Sequence, residues 1–551
     1  MLVPKLFTTL KDYSKEQFAK DVIAGIIVAI IALPLSIALA LASGVRPEQG
    51  IYTAIIAGFL ISFLGGSRVQ IAGPTAAFAA IVGNIVARNG MDGLILATIM
   101  AGLILILMGI FKMGVLIKFI PYTITTGFTA GIAVTIAIGQ VKDLFGLSFK
   151  NAPIETVEKL REAVMCASTW NPQALAVGIT GILILVIWPK INGKIPGSLL
   201  AVLAGIAMVK GFNLNVNTIG SLYKISNSLP VFRVPHFTFS MVQTLLPDAM
   251  TIAILASIES LLSCVVADGM IGGKHRSNME LIAQGVGNMA SGLFGGIPAT
   301  GAIARTAANI KNGGRTPVAG MVHALVLVLV LVILMPYAAL IPMPTIAAIL
   351  IMVAYNMSGW REFVNVVKTS PKSDTIILIA TFVLTVIFDL VVAIEVGMML
   401  ACLLFIKRMS EVTEISSWKY VDDEEEADDP ESIQLRKVPK DTLVYEINGP
   451  MFFGAADKFL EVITRSMNGP KRGQIRKIII RMRSIPALDT TSMNHLSNVL
   501  MECKKRNITL ILSHVQKQPY QVMKKKGLLE LIGRENLCEN IDKALERAES
   551  L

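Results

Sequence analysis

Two apolar stretches of this chain are interrupted in the same way, about 225 residues apart. In the first, Gly65-Gly66 precedes Ala72-Gly73-Pro74-Thr75-Ala76-Ala77-Phe78; in the second, Gly295-Gly296-Ile297-Pro298 precedes Ala299-Thr300-Gly301-Ala302. Each break is followed by a helical stretch too short to cross a bilayer. Irregular backbone at membrane depth survives only where protein or an aqueous cavity satisfies its polar groups. Matching breaks in two halves of one chain point to the substrate site of a transporter.

The rest of the chain fits a membrane setting. Hydrophobic residues make up 53% and charged residues 16% of the sequence, and mean hydropathy is +0.63, far from a soluble balance. Apolar runs of spanning length occur near 21–43, 93–111, 119–140, 173–189, 245–266, 317–335, 374–392 and 393–406; about 20 apolar residues span a bilayer. Shorter runs at 50–64, 74–87, 197–212, 280–294, 299–310 and 340–357 read as packed or half-crossing helices. That predicts an α-helical polytopic membrane protein of fourteen helices, with both ends on one side. The first 20 residues scatter Lys5, Lys11, Lys15 and Lys20 without a cleavage site, which reads as a cytoplasmic start. The net charge of +11 falls largely where the positive-inside rule places it. Lys112, Lys118, Lys190, Lys194, Lys274, Arg276, Lys311, Arg315, Arg361 to Lys372, Lys407 and Arg408 share one predicted side. Lys and Arg in the longer outer loops, 141–172 and 211–244, run against the pattern. No basic patch with interleaved aromatics suggests nucleic acid, and the five cysteines show neither metal nor disulfide spacing.

The two halves (about 21–212 and 245–408) can be laid on one another. Pro34 precedes Pro74 by 40 residues, and Glu259 precedes Pro298 by 39. Each half offers a long helix carrying a breaking or polar residue, a linking helix, a Gly-rich extended stretch and a half-helix. Seven helices per half is an odd number, so the second copy enters from the opposite face as an inverted repeat. The N-termini of the third and tenth helices then face one another at the bilayer centre. Each carries unsatisfied N–H groups and about half a positive charge, so together they form an anion site. Thr75 and Thr300 place hydroxyls there, and Arg305 adds a full charge.

Beyond Arg408 the composition changes. Residues 409–434 read as an acidic linker around the run 422–431, and 435–551 as a small α/β domain. Its strands are expected at 442–448, 477–482 and 508–513, with helices at 454–467 and 490–505 and near 517–526 and 540–549. Its Lys and Arg content places it in the cytoplasm.

The strings Asp21-Val-Ile-Ala-Gly25, Gly73-Pro74-Thr75, Glu259-Ser-Leu-Leu-Ser263, Val265-Val-Ala-Asp268-Gly-Met270 and His275-Arg-Ser-Asn-Met-Glu280 resemble the SulP anion permeases, also called solute carrier family 26. The C-terminal domain resembles their STAS module, with Asp489-Thr490-Thr491 at its signature loop. The resemblance implies a transporter rather than an enzyme, a core domain (helices 1–4 and 8–11), a gate domain (5–7 and 12–14), an elevator motion and a homodimer. Family substrates are sulfate, bicarbonate, chloride, oxalate and dicarboxylates. Many animal members carry Gln after the helix-1 Pro and an aromatic four residues on. Here Leu35 and Leu39 stand there, which weakens a halide or channel reading and resembles a bacterial subgroup with a C4-dicarboxylate transporter.

The expected anion-binding set is therefore Pro34, Leu35, Leu39, Thr75, Ala76, Phe78, Ala299, Thr300, Gly301, Ala302 and Arg305, with Glu259 and Ser263 as coupling residues. A carboxylate in an apolar helix is a functional hypothesis by default. Burial opposes the charge of Glu259 and Arg305 supports it, so a proton taken up with the anion would couple transport. The competing reading is a permanent Glu259–Arg305 ion pair, and Ser263 equally suits packing. Sodium is the second choice, because Ile303 offers no oxygen. Asp268 is expected to pair with Lys274 or Arg276, Asp389 and Glu395 to be interfacial, and His275 to lie on the surface. Thr490 stands where bacterial STAS proteins are phosphorylated, although Asp489 there also suits a helix cap. The expected location is a bacterial inner membrane, without cofactor or metal, with the STAS domain offering a surface to a cytoplasmic regulator. Alternatives are a sodium symporter, an exchanger, an uncoupled anion channel, a signalling protein with the STAS domain as output, and a nucleobase permease, which would lack the STAS tail.

Overall fold

A computed structural model of the protein describes residues 2–551 apart from 116–120, 152, 154, 192–195, 236–237, 389, 413, 419–437, 440 and 468–474. Two compact units result, Met1–Met399 and Leu400–Leu551. The first half of the membrane unit runs α1 (Lys5–Thr9), α2 (Lys15–Ala42), α3 (Pro47–Leu64), β1 (Ala72–Gly73), α4 (Ala79–Ile110), α5 (Tyr122–Gly139), α6 (Val141–Phe145), α7 (Thr156–Met165), α8 (Pro172–Ile191), α9 (Gly197–Gly211) and α10 (Ile219–Leu222). The second runs α11 (Phe239–Ile271), α12 (Ser277–Leu293), β2 (Thr300–Gly301), α13 (Ile303–Lys311), α14 (Val318–Ala338), α15 (Met343–Ser358), α16 (Trp360–Thr369), α17 (Lys372–Ile387) and α18 (Leu390–Val412). Among the described residues, eight helices are long and apolar enough to cross a membrane.

The order of elements is duplicated as the sequence predicts, with local differences. The runs expected at 74–87 and 93–111 follow one another within α4 as two helices divided by a kink at Gly90, whose backbone is non-helical with φ 66°. The half-helices begin later than their apolar runs, because residues 72–75 and 299–302 are largely extended. Helix α2 passes through Pro34 without ending. Starts and stops have local causes. Ser14 accepts from Gln17 N at the start of α2, and Thr238 from Met241 N at the start of α11. Gly272 and Gly359 close α11 and α15 in the left-handed region that a Cβ disfavours. Two amphipathic helices, α7 and α16, occupy stretches expected as loops.

Packing separates two helix groups. Helices α2, α3, α4, α11, α12, α13 and α14 pack on one another, and α5, α8, α9, α15 and α17 form the second group. The first is the core set that the family resemblance implies, and the second is the gate set without its last helix, α18. Close approach depends on missing side chains: a Cβ on Gly102 would lie 2.6 Å from Gly285 O, and one on Gly285 would lie 2.5 Å from Gly102 O. The α4–α12 seam therefore tolerates nothing larger on either side.

The second unit carries β3 (Glu414–Trp418), β4 (Thr442–Asn448), α19 (Phe453–Met467), β5 (Lys477–Arg481), α20 (Thr490–Lys505), β6 (Thr509–Ser513), α21 (Lys517–Lys525), α22 (Leu528–Ile532), β7 (Leu537–Cys538) and α23 (Ile541–Glu549). Its sheet order is β3-β4-β5-β6-β7, parallel except for β3. Both faces are covered, as a parallel sheet requires. Tyr445, Ile478 and Leu512 pack under α19 to α22, while Val444, Ile479 and Ile511 pack against α23. One expectation needs correction. The stretch 409–434 is not linker throughout: α18 continues to Val412, and Glu414–Trp418 pairs antiparallel with β4. Five residues are too few for a periodicity signal, and their partner strand gives them their structure. The acidic run 422–431 lies outside the described residues.

Candidate functional site

The two breaks meet. Ala72 pairs with Gly301 and Gly73 with Thr300 in an antiparallel ladder of two residues per strand. Because the strands are antiparallel, α4 and α13 leave the ladder in opposite directions, with their N-terminal ends turned toward it. No side chain caps either start. The N–H groups of Ala76 and Ala77 on one side, and of Ile303, Ala304 and Arg305 on the other, have no acceptor among the described residues. Ile303 and Ala304 are exposed, so this end is reachable.

Each break is held by the linking helix of the opposite half, and the second break also by its own. Glu280 on α12 accepts from Gly66 N (2.8 Å) and Ser67 N (3.2 Å). On α3, Gln49 Nε2 donates to Gly295 O (3.0 Å), and Thr53 Oγ1 accepts from Ile297 N (2.7 Å). Asn288 on α12 donates to Ala299 O (2.9 Å) and accepts from Ala299 N (2.8 Å). Sequence reasoning missed these braces, although a signal existed. Glu280, Gln284, Asn288 and Ser291 recur at spacings of three or four on α12, and Gln49 and Thr53 do so on α3. A polar stripe in an apolar helix must face a polar partner.

The expected site residues divide. Thr75 Oγ1 donates to Glu259 Oε2 at 3.0 Å, so the carboxylate of α11 sits at the start of the α4 segment. Arg305 is 1% exposed; its Nη2 donates to Pro74 O at 3.0 Å, while Nε and Nη1 have no partner among the described residues. It lies over Gly73, where a Cβ would approach Nη1 to 2.4 Å. Glu259 and Arg305 do not form the ion pair weighed above; each holds a different part of the same break. Leu39, Ala76 and Phe78 are buried in one apolar cluster with Leu35 at its margin, and Pro34 is buried within α2.

Four expected donors are already engaged. The N–H of Ala299 is held by Asn288, that of Gly301 by Ser260 Oγ (3.0 Å) and that of Ala302 by Ile71 O (2.9 Å). The Thr300 hydroxyl faces Ser260 Oγ at 2.7 Å. In the second break the free N–H groups begin at Ile303, just past the expected run 299–302, because ladder formation uses the extended residues first. Ser263 is fully buried, 3.5 Å from Thr306 Oγ1, and does not reach the ladder. Its neighbour Ser260, not singled out from the sequence, does.

Two peripheral expectations resolve differently. Asp268 pairs with His275 rather than with Lys274 or Arg276: its Oδ2 accepts from His275 N (2.8 Å) and lies 2.7 Å from Nδ1. The turn through Gly272 and Gly273 folds residue 275 back onto the end of α11, which spacing alone does not reveal. His275 is accordingly half-buried, with Ser277 Oγ 3.0 Å from Nε2. Glu395 is exposed, and Asp389 lies outside the described residues. In the second unit, Asp489 caps α20 by accepting from Ser492 N (2.8 Å) and also accepts from Phe453 N (2.8 Å); Thr490 is exposed at the first turn.

Comparisons with known proteins identify the family and the fold. Residues 18–381 match the Sulfate permease family and residues 432–544 the STAS domain. The chain is 41% identical over 534 residues to the protein named "Putative sulfate transporter YvdB" of Bacillus subtilis, covering 97% of this chain and 98% of that one. It is 30% identical over 506 residues to the bicarbonate transporter BicA of a Picosynechococcus species, covering 89% and 88%. Among solved structures, the transmembrane domain of a cyanobacterial bicarbonate transporter BicA superposes with a TM-score of 0.62 at 30% identity, over 71% of this chain and 98% of that one. Murine Solute Carrier 26 family member A9, in its inward-facing state, gives a TM-score of 0.88 over 100% and 94%. At 18% identity the murine likeness is one of fold alone.

Proposed function

Because the chain belongs to the sulfate permease family, we propose that this multi-pass anion transporter is a secondary active, proton-coupled symporter of a small anion. The anion sits at the uncapped starts of the α4 segment and α13, held by backbone N–H groups and by the field of two helix ends and Arg305. One observation carries the coupling: Glu259 is hydrogen-bonded to Thr75 at the end that would receive the anion. Carboxylate and substrate compete for one positive region. The site therefore accepts the anion most readily when Glu259 carries a proton, and the two cross together. Ile303, exposed at the first turn of α13, brings no oxygen for sodium.

The movement follows the two helix groups, the ladder travelling with the α2–α4 and α11–α14 group as an elevator within a homodimer. The membrane is a bacterial inner membrane, with both termini in the cytoplasm. Lys5, Arg68, Arg276 and Arg315 gather near one end of the bundle, as the positive-inside rule requires of the cytoplasmic face. The STAS unit offers a cytoplasmic regulatory protein its surface. Sulfate and bicarbonate, named for the relatives above, are the first substrates to test, with C4-dicarboxylates next.

The test is uptake of labelled sulfate, bicarbonate, succinate and fumarate into proteoliposomes under separate proton and sodium gradients. Accumulation driven by an inward proton gradient is expected. Accumulation driven by sodium alone, or equilibration without accumulation under either gradient, overturns the coupling.

A further inference from the structure

At the end of the bundle where α1 begins, cations are brought together by backbone bonds rather than by opposite charge. Lys5 N donates to Gly65 O at 2.9 Å, and Arg276 N to Gly66 O at 2.9 Å. Arg276 Nη1 reaches back to Val3 O (2.7 Å) and Pro4 O (3.3 Å). Arg68 follows on the same loop and is exposed; Lys5 and Arg276 are half-buried. These three side chains thus share one small region, at the start of α12, a 17-residue helix without a side-chain cap.

The carboxylates nearby are already engaged. Asp268 Oδ2 accepts from His275 N and lies 2.7 Å from its Nδ1. Glu280, fully buried, accepts from Gly66 N, Ser67 N and Gln284 Nε2. None of Lys5, Arg68 or Arg276 forms an ion pair among the described residues. Burial, then Arg276 and Arg68, hold the Lys5 ammonium below its usual range, against the opposing pull of Asp268. Cations that serve only as a topological signal need no fixed arrangement and stay dispersed in water. Here two are pinned and partly desolvated beside a third, an unfavourable grouping until an anion joins them.

We propose that Lys5, Arg68 and Arg276, with the start of α12, form a binding site for a phosphate group, carried by an anionic lipid or free in solution. Phosphate suits the donor set: two guanidinium groups and an ammonium supply several charge-assisted bonds, and the helix end adds its dipole. The site lies on the loop that leads from Gly66 into β1 and is separate from the anion site at the ladder.

The test uses the purified full-length protein in detergent. Native mass spectrometry reads retention of phosphatidylglycerol against phosphatidylcholine. Thermal unfolding reads the shift produced by inorganic phosphate against chloride at equal ionic strength. The expected result is retention of the anionic lipid, or a phosphate-dependent shift, weakened about tenfold or more in the double variant Lys5→Gln/Arg68→Gln and kept in Arg305→Gln. Arg68→Glu, at an exposed position whose side chain makes no bond among the described residues, gives the same loss should the double variant fold poorly. Retention of lipid alone identifies a headgroup as the source, and response to phosphate alone identifies the free ion. Failure of both probes, equal binding by Arg68→Glu and the unaltered protein, or loss only in Arg305→Gln overturns the proposal.

Discussion

Glu259 and Gly73 show how single residues set the chemistry at the ladder. The Glu259 carboxylate is the only charge from α11 placed at the helix starts, and its partner is a hydroxyl, not a cation. Glu259→Gln keeps the bond to Thr75 but removes the exchangeable charge. Proton-driven accumulation in proteoliposomes is expected to disappear while anion counterflow persists; accumulation at the unaltered level would remove the coupling role. Gly73 matters through absence. Its missing Cβ leaves room for Arg305 Nη1, so Gly73→Ala displaces a buried guanidinium. Anion affinity should fall by roughly 1–2 kcal/mol, about 5- to 30-fold, as measured by equilibrium binding. Gly269→Ala, where an added Cβ meets nothing within 4 Å, is the control and should leave affinity unchanged. The sequence made Glu259 and Arg305 conspicuous, because charge in an apolar helix is costly. It could not show that they bind different partners, since that depends on the direction each side chain takes.

Among the elements, the ladder depends on helices that are not themselves broken. Asn288 satisfies both backbone groups of Ala299 at 0% exposure. Asn288→Ala leaves a buried N–H and C=O without partners, at a cost of about 1–3 kcal/mol for each group. The purified protein should melt several degrees lower; an unchanged midpoint would mean that water replaces the amide. In the second unit, Asp489 both caps α20 and ties it to the start of α19. Asp489→Ala should cost about 0.5–2 kcal/mol, read by denaturant unfolding of the soluble unit. Element type was legible where apolar runs were long, as in α2, α11 and α14, because transfer from water dominates there. It was not legible for α16 or β3. Helix α16 is an amphipathic connector, and β3 is ordered by its partner strand.

The whole molecule depends on two architectures with different demands. In the STAS unit, burial opposes the charge of Asp441, but the Lys477 ammonium 3.1 Å away outweighs it and holds that carboxyl below its usual range. A depressed acid stabilises the fold above its unfolded value and loses that contribution as pH falls through the folded value. The isolated STAS unit should therefore lose roughly 0.5–1 kcal/mol below about pH 4, a loss absent from Asp441→Asn. Residues 414–551 should also be more soluble alone than 435–551, because the shorter piece leaves the edge of β4 unpaired; equal solubility in a sedimentation assay would count against β3 as its protecting strand. For the membrane unit, the amino-acid sequence by itself determined the number of apolar runs, the duplicated breaks, the charge bias and the family, since burial in lipid acts on composition over many residues. Only the tertiary structure decided that the breaks pair with each other, that four expected donors are occupied by the ladder and its braces, and that Glu259 meets Thr75 rather than Arg305. Those outcomes rest on contacts of a few ångströms between segments more than two hundred residues apart in several cases, and hydrophobic periodicity carries no information at that range.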